Sequence, residues 1–144
     1  MKKYLVINGV NLNMLGVREP GIYGKGTLKD LEERITQKAK ELNVSVDFFQ
    51  SNFEGEIVEK IHGAMGVYDG IIINPGAFTH YSYAIRDAFG SVKMDVVEVH
   101  ISNIHKREEF RHNSVIVPEC IGQICGLGFD GYELALTYLA NKGN

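Results

Sequence analysis

Gly70-Ile-Ile-Ile-Asn74, running straight into Asn74-Pro-Gly-Ala-Phe-Thr-His-Tyr-Ser82, reads as a buried strand that ends in a polar turn. Three successive isoleucines leave no polar face, as expected of a strand covered on both sides. Working outward, four other short runs share this character: Tyr4–Asn8, Val44–Phe49, Val96–His100 and Ser114–Val117. Helical patterns lie between them. Thr27-Leu-Lys-Asp30 has the form of a capping box, in which a Thr and an acidic residue satisfy free N–H groups. Leu28, Leu31, Ile35 and Leu42 then share one face. Ile57, Val58, Ile61, Ala64 and Met65 form a second amphipathic set, and Ala84, Ile85, Ala88 and Phe89 a third. Glu108 to His112 reads as a short helical turn and Leu134 to Ala140 as a closing helix. Repeated strand–helix alternation implies right-handed crossovers and a parallel sheet. Five strands in 144 residues fit an α/β, flavodoxin-like three-layer sandwich with a five-stranded parallel sheet of order 2-1-3-4-5.

Size and composition agree with one domain spanning residues 1–144. A chain of this length buries roughly 68–70% of its unfolded surface, enough for a core without staples. Hydrophobic residues make up 44% and charged residues 23%, an ordinary globular balance. A net charge of −3 argues against nucleic acid or an anionic membrane as partner. The apolar run behind Met1-Lys-Lys is shorter than a signal core, and no run is long enough to span a bilayer. Cys120 and Cys125, without a secretion signal, read as buried thiols in the reducing compartment of a cytoplasmic protein.

The topology locates function. In open α/β sheets, ligands bind beyond the carboxyl ends of the strands, where the strand order reverses. Past the first, third and fourth strands come Asn11 to Tyr23, Asn74 to His80, and His100 to Ser102. The first of these segments is long, rich in Asn and Gly, and lacks periodicity, which suits a lid or binding loop. It holds Arg18 and Tyr23. A cation held against a tyrosine favours the phenolate; a tyrosine packed under the loop with a solvated arginine is the plainer alternative. Glu98 and His100, at i and i+2, share a strand face, so the carboxylate could orient the imidazole. Thr79, His80 and Ser82 either face a ligand or cap the next helix. Arg111 stands out from a mixed-charge stretch as one possible carboxylate clamp.

Other motifs carry less. Gly126-Leu-Gly-Phe-Asp-Gly131 has the dinucleotide spacing but no following strand and no acidic partner, so a glycine-rich turn is the better account. Glu98, His100, His105 and His80 could supply metal ligands, yet no Cys/His pairing or H-E-x-x-H accompanies them. His62 falls on a helix surface.

Six separated segments carry a resemblance. Asn11-Leu-Asn-Met-Leu-Gly-Val-Arg-Glu-Pro-Gly-Ile-Tyr-Gly24, Gln50-Ser-Asn-Phe-Glu-Gly55, Asn74-Pro-Gly-Ala-Phe-Thr-His80, Ile85-Arg-Asp-Ala88, Val97-Glu-Val-His-Ile-Ser-Asn103 and Arg107-Glu-Glu-Phe-Arg-His112 closely resemble type II 3-dehydroquinate dehydratases, in order and nearly end to end. The resemblance implies a hydro-lyase that converts 3-dehydroquinate to 3-dehydroshikimate through an enolate, with neither metal, cofactor nor Schiff base. It implies Tyr23 as general base, Arg18 as the cation that keeps it ionised, and Asn11 as a residue that helps stabilise the enolate. It implies His100 as general acid and Glu98 as its orienting carboxylate. Asn74, His80, Ile101, Ser102 and Arg111 would bind substrate, and Asp87 would reach a neighbouring subunit's site. The expected assembly is a homo-dodecamer, a tetramer of trimers. Val10, Phe53 and Phe78 depart from the residues usual at their positions, and none is expected to touch a carried-over catalytic residue. A flavodoxin-like phosphate or flavin binding module is the rival reading, opposed by the absence of a phosphate loop.

Overall fold

The computed structural model describes residues 1–17, 21 and 26–142. Five strands, β1 (Lys3–Asn8), β2 (Ser45–Gln50), β3 (Gly70–Asn74), β4 (Val96–His100) and β5 (Gly122–Cys125), pair in parallel in the order β2-β1-β3-β4-β5. Helices α1 (Leu28–Leu42), α2 (Glu54–Ala64), α3 (Tyr83–Val92) and α4 (Asp130–Asn141) cover the two faces. The class and strand order expected from the alternation are those observed.

Successive side chains of a strand point to opposite faces, and that rule sorts the core. Tyr4, Val6, Ile72, Val97 and Val99 pack against Leu31, Ile35 and Ala39 of α1 and Tyr132, Ala135, Leu136 and Leu139 of α4. Leu5, Ile7, Ile71, Ile73 and Val96 meet Ile57, Ile61 and Ala64 of α2 and Ile85, Ala88 and Phe89 of α3. Burying each such isoleucine contributes about 1.5–3 kcal/mol, so the central strands anchor the sheet. The capping box at Thr27 forms: its Oγ1 accepts from Asp30 N at 3.1 Å, and Asp30 Oδ2 accepts from Thr27 N at 3.0 Å. Arg34 ties α1 to Asp130 and Glu133 of α4. That pairing is partly exposed and adds little stability beside the core.

Four readings require correction. Ser114–Val117 is not a strand. Ser114 Oγ accepts from the N–H of Ile116 at 3.2 Å and Val117 at 3.0 Å, and Val115 N–H donates to Thr79 O. These bonds curl the segment into a turn that plugs Val115 and Ile116 into the α2–α3 face of the core. The fifth strand comes later, at Gly-Gln-Ile-Cys, where edge placement leaves every residue at least partly exposed and weakens the apolar signal. Met65 and Ala84 lie outside the buried faces assigned to them: Met65 ends α2 in extended backbone, and Ala84 faces out from the first turn of α3. The last helix starts at Asp130, four residues early, because Gly131 and Tyr132 are already buried.

Candidate active site

The loops after β1 and β3 are interlocked by glycine. A Cβ on Gly9 would stand 2.3 Å from Pro75 O, and one on Gly76, at φ +65°, would stand 2.5 Å from Val10 O. No other residue permits that approach. Asn11 follows in a left-handed conformation, φ 70°, which asparagine tolerates better than most residues. Its N–H donates to Asn52 Oδ1 at 2.8 Å, and Gln50 Nε2 donates to Gly9 O at 3.2 Å. The segment after β2 therefore holds the Asn11 turn from outside.

Asn8 and Asn74 end neighbouring strands in register. Asn74 Oδ1 accepts from Gly76 N–H at 3.1 Å, and its Nδ2 donates to the Tyr132 hydroxyl at 2.9 Å. Tyr132 in turn donates to Asn8 Oδ1 at 2.6 Å. Burial raises the Tyr132 phenol well above its ordinary range, so it stays neutral.

Glu98 and His100 share one face of β4, as the i, i+2 spacing predicts. His100 Nε2 lies 2.8 Å from Glu98 Oε2. Glu98 is fully buried, and its carboxylate also accepts from Ser114 Oγ at 2.8 Å and Gln123 Nε2 at 2.6 Å. Three donors on a buried carboxylate compensate its lost hydration. Near it, burial first and then the Glu98 charge push the Cys125 thiol up to about 11, and the same causes raise Cys120. Both cysteines are free and only partly buried, not buried as the sequence suggests, and remain protonated thiols.

His80 joins from the β3 loop. Its Nδ1 donates to Asn113 O at 2.9 Å, and its ring meets Phe110 edge-on. Burial, assisted by the His100 and Arg111 charges, lowers its pKa. Neutral His80 with the proton on Nδ1 therefore keeps Nε2 as an acceptor.

These groups converge. One cleft is lined by Asn11, Asn74, His80, His100, Ile101, Ser102, Arg107 and Arg111, with Val10, Leu12, Met14, Leu15 and Ile104 as apolar wall. Arg107 and Arg111 have side chains only 12% and 16% exposed. Arg107 Nη1 reaches Ser102 Oγ at 3.5 Å, and Arg111 Nε donates to Glu108 Oε2 at 3.2 Å. Two largely buried guanidiniums can hold an anion, and the imidazole oriented by Glu98 can act as an acid or base.

Of the residues expected at the site, seven line this cleft directly, and Glu98 stands behind His100. Asp87 does not line it; on α3, its side chain is 77% exposed, 3.8 Å from Arg86. Arg18 and Tyr23 lie outside the described residues. Ser82 caps α3 through Ile85 N–H at 3.1 Å. Among the described residues, no three His, Cys, Asp or Glu side chains are grouped to hold a metal ion. Arg107, Ser114, Gln123 and Tyr132 were not anticipated. The basic pair at i, i+4 with Arg111 was a signal for Arg107; the other three act across 16 to 124 residues of chain and leave no local signature.

A parallel sheet of order β2-β1-β3-β4-β5 whose strand ends bring a histidine–carboxylate pair and two arginines to one cleft defines a flavodoxin-like enzyme. The family model of class II dehydroquinases matches residues 2–140, and the chain belongs to that family. It is 58% identical over 143 residues to a 3-dehydroquinate dehydratase of Bacillus pumilus, covering 99% of this chain and 97% of the relative. It is 61% identical over 142 residues to one from Bacillus cytotoxicus, with the same coverage. The type II dehydroquinase structure from Butyrivibrio crossotus superposes with a TM-score of 0.94 at 54% identity, over 96% of this chain and 97% of that one. A 3-dehydroquinate dehydratase-like protein from Bifidobacterium longum is more distant, with a TM-score of 0.73 at 33% identity over 97% and 96%.

Proposed function

We propose that this chain is a type II 3-dehydroquinate dehydratase, a hydro-lyase that removes water from 3-dehydroquinate to give 3-dehydroshikimate. The observation that carries the reading is the buried Glu98 carboxylate 2.8 Å from His100, in a cleft that two arginines share. The substrate has a ketone, an acidic proton beside it, a hydroxyl one carbon further on, and a carboxylate. Tyr23 as phenolate takes the proton, and its electron pair passes into the enolate. Asn11 holds hydrogen bonds to that enolate. His100 delivers a proton to the departing hydroxyl as the C–O bond breaks; the electrons return, water leaves, and a conjugated enone remains. Glu98 holds the imidazole and balances its charge. Ile101 and Ser102 N–H groups with Arg111 bind the carboxylate, while Asn74 and His80 bind hydroxyls.

Arg18 keeps Tyr23 ionised. A phenol starts near 10, and lowering it by about 2–3 units needs roughly 3–4 kcal/mol at about 1.4 per unit, within reach of one or two arginines in a desolvated site.

The proposed assembly is a dodecamer, a tetramer of trimers, in which Asp87 of one subunit reaches its neighbour's site. Its exposure on α3 suits that role. No helix among the described residues is long and apolar enough to cross a membrane, and a cytoplasmic location, in aromatic biosynthesis or quinate breakdown, fits the substrate. The test is direct. Purified protein with 3-dehydroquinate and excess chelator should generate enone ultraviolet absorbance, and borohydride added with substrate should leave activity intact. Absence of the enone would reject the function. Chelator-sensitive turnover or substrate-dependent inactivation by borohydride would reject the mechanism.

A further inference from the structure

We infer that Tyr132 is a positioning residue for the reaction: held by α4 beneath the sheet ends, its hydroxyl fixes which way the Asn74 amide faces the cleft. The inference rests on Asn74 being a substrate-binding residue, and it extends the site to a helix that does not line the cleft. The direction of the hydrogen-bond chain is forced. Asn74 Oδ1 is committed to Gly76 N–H at 3.1 Å, so Nδ2 must turn toward Tyr132, 2.9 Å away. A phenol has one proton. Having accepted from Asn74, it donates to Asn8 Oδ1 at 2.6 Å. Asn8 is fully buried, and its Nδ2 has no partner among the described residues, so only the Tyr132 hydroxyl orients that amide.

Asn74 is 4% exposed and Tyr132 is fully buried. Water is therefore a poor substitute for the missing hydroxyl. Without it, one buried donor on Asn74 and one buried acceptor on Asn8 are left unmet, and the Asn74 amide is held on one side only. Its second Nδ2 hydrogen, the one available to a substrate oxygen, then loses its fixed direction. Burial also keeps the phenol neutral, so the chain holds its polarity across the working pH range.

The test is a double-mutant cycle read in steady-state kinetics, with circular dichroism and light scattering confirming fold and assembly. Tyr132→Phe should lower kcat/KM by about tenfold, the weight of one buried hydrogen bond. In an Asn74→Ala background the same change should alter kcat/KM by less than about twofold, since the group through which it acts is gone. Loss of melting temperature with kcat/KM unchanged would overturn the inference, as would losses that multiply in the double variant. Wild-type kinetics in Asn74→Ala alone would remove Asn74 from substrate binding, and the inference with it. Should Tyr132→Phe fail to fold, Asn8→Ala gives the same cycle, because it frees the hydroxyl to rotate. A loss that vanishes with Asn74→Ala supports the inference, and one that persists overturns it.

Discussion

Glu98 and His100 form a dyad in which the carboxylate, not the imidazole, is the fixed element. Glu98 Oε2 lies 2.8 Å from His100 Nε2 while Ser114 and Gln123 clamp the same carboxylate at 2.8 and 2.6 Å. The imidazole lines the cleft, and the two donors that hold the Glu98 carboxylate from outside β4 come from the Ser114 turn and from Gln123 of β5.

Glu98→Gln keeps the shape and removes the charge. An amide offers one acceptor oxygen where the carboxylate offers two, so the three contacts cannot all be kept as they stand. The expected outcome is a fall in kcat of about 10- to 100-fold with KM little changed, because the charged imidazole needed at C–O cleavage loses its counter-ion. Steady-state kinetics on the purified variant check this; a raised KM with unaltered kcat would assign Glu98 to binding instead.

Ser114→Ala should destabilise the fold by about 1–3 kcal/mol. It strips a donor from the buried Glu98 carboxylate and an acceptor from the Ile116 and Val117 N–H groups. Urea unfolding at neutral pH measures it. A change below about 0.5 kcal/mol, the level of an ordinary surface substitution, would show that the turn holds itself.

Gly9→Ala tests the interlock of the β1 and β3 loops. The new methyl would stand 2.3 Å from Pro75 O, and backbone cannot swing aside as a long side chain can. Overpacking of this kind costs about 1–3 kcal/mol. KM should rise with it, since Asn11 and Asn74 ride on the two loops. Unchanged melting temperature and KM would mean that the loops part freely.

His80 supplies a pH dependence. Burial lowers its pKa in the folded chain, so its contribution to stability is present above the ordinary imidazole value of about 6.5. It is lost as pH falls through the folded value, because the unfolded chain takes up the proton first. His80→Asn should flatten the fall in melting temperature below about pH 6.5 relative to the parent. Parallel curves for the two proteins would contradict the assignment.

The sheet was legible because Gly70-Ile-Ile-Ile-Asn74 and its neighbours are buried on both faces, where hydrophobicity alone reports position. Legibility ended at β5: Gly122–Cys125 is a partly covered four-residue strand that opens on Gly-Gln, whereas the longer edge strand β2 keeps Val46, Phe48 and Phe49, and the more apolar Ser114–Val117 is a core plug shaped by a serine side chain. The cleft was legible where strand ends deliver residues in sequence, as with Asn74 and the Glu98–His100 pair. Tyr132 and Gln123 were not legible, since a helix register and an edge-strand pairing bring them to Asn74 and Glu98, and no local pattern encodes either contact.

If His100 is the acid at the leaving hydroxyl, His100→Ala reads that role in kcat. The proton is needed only as the C–O bond breaks, so kcat should fall by about 100- to 10,000-fold while KM for 3-dehydroquinate changes far less. Full kcat with a strongly raised KM would make His100 a binding residue and contradict the account.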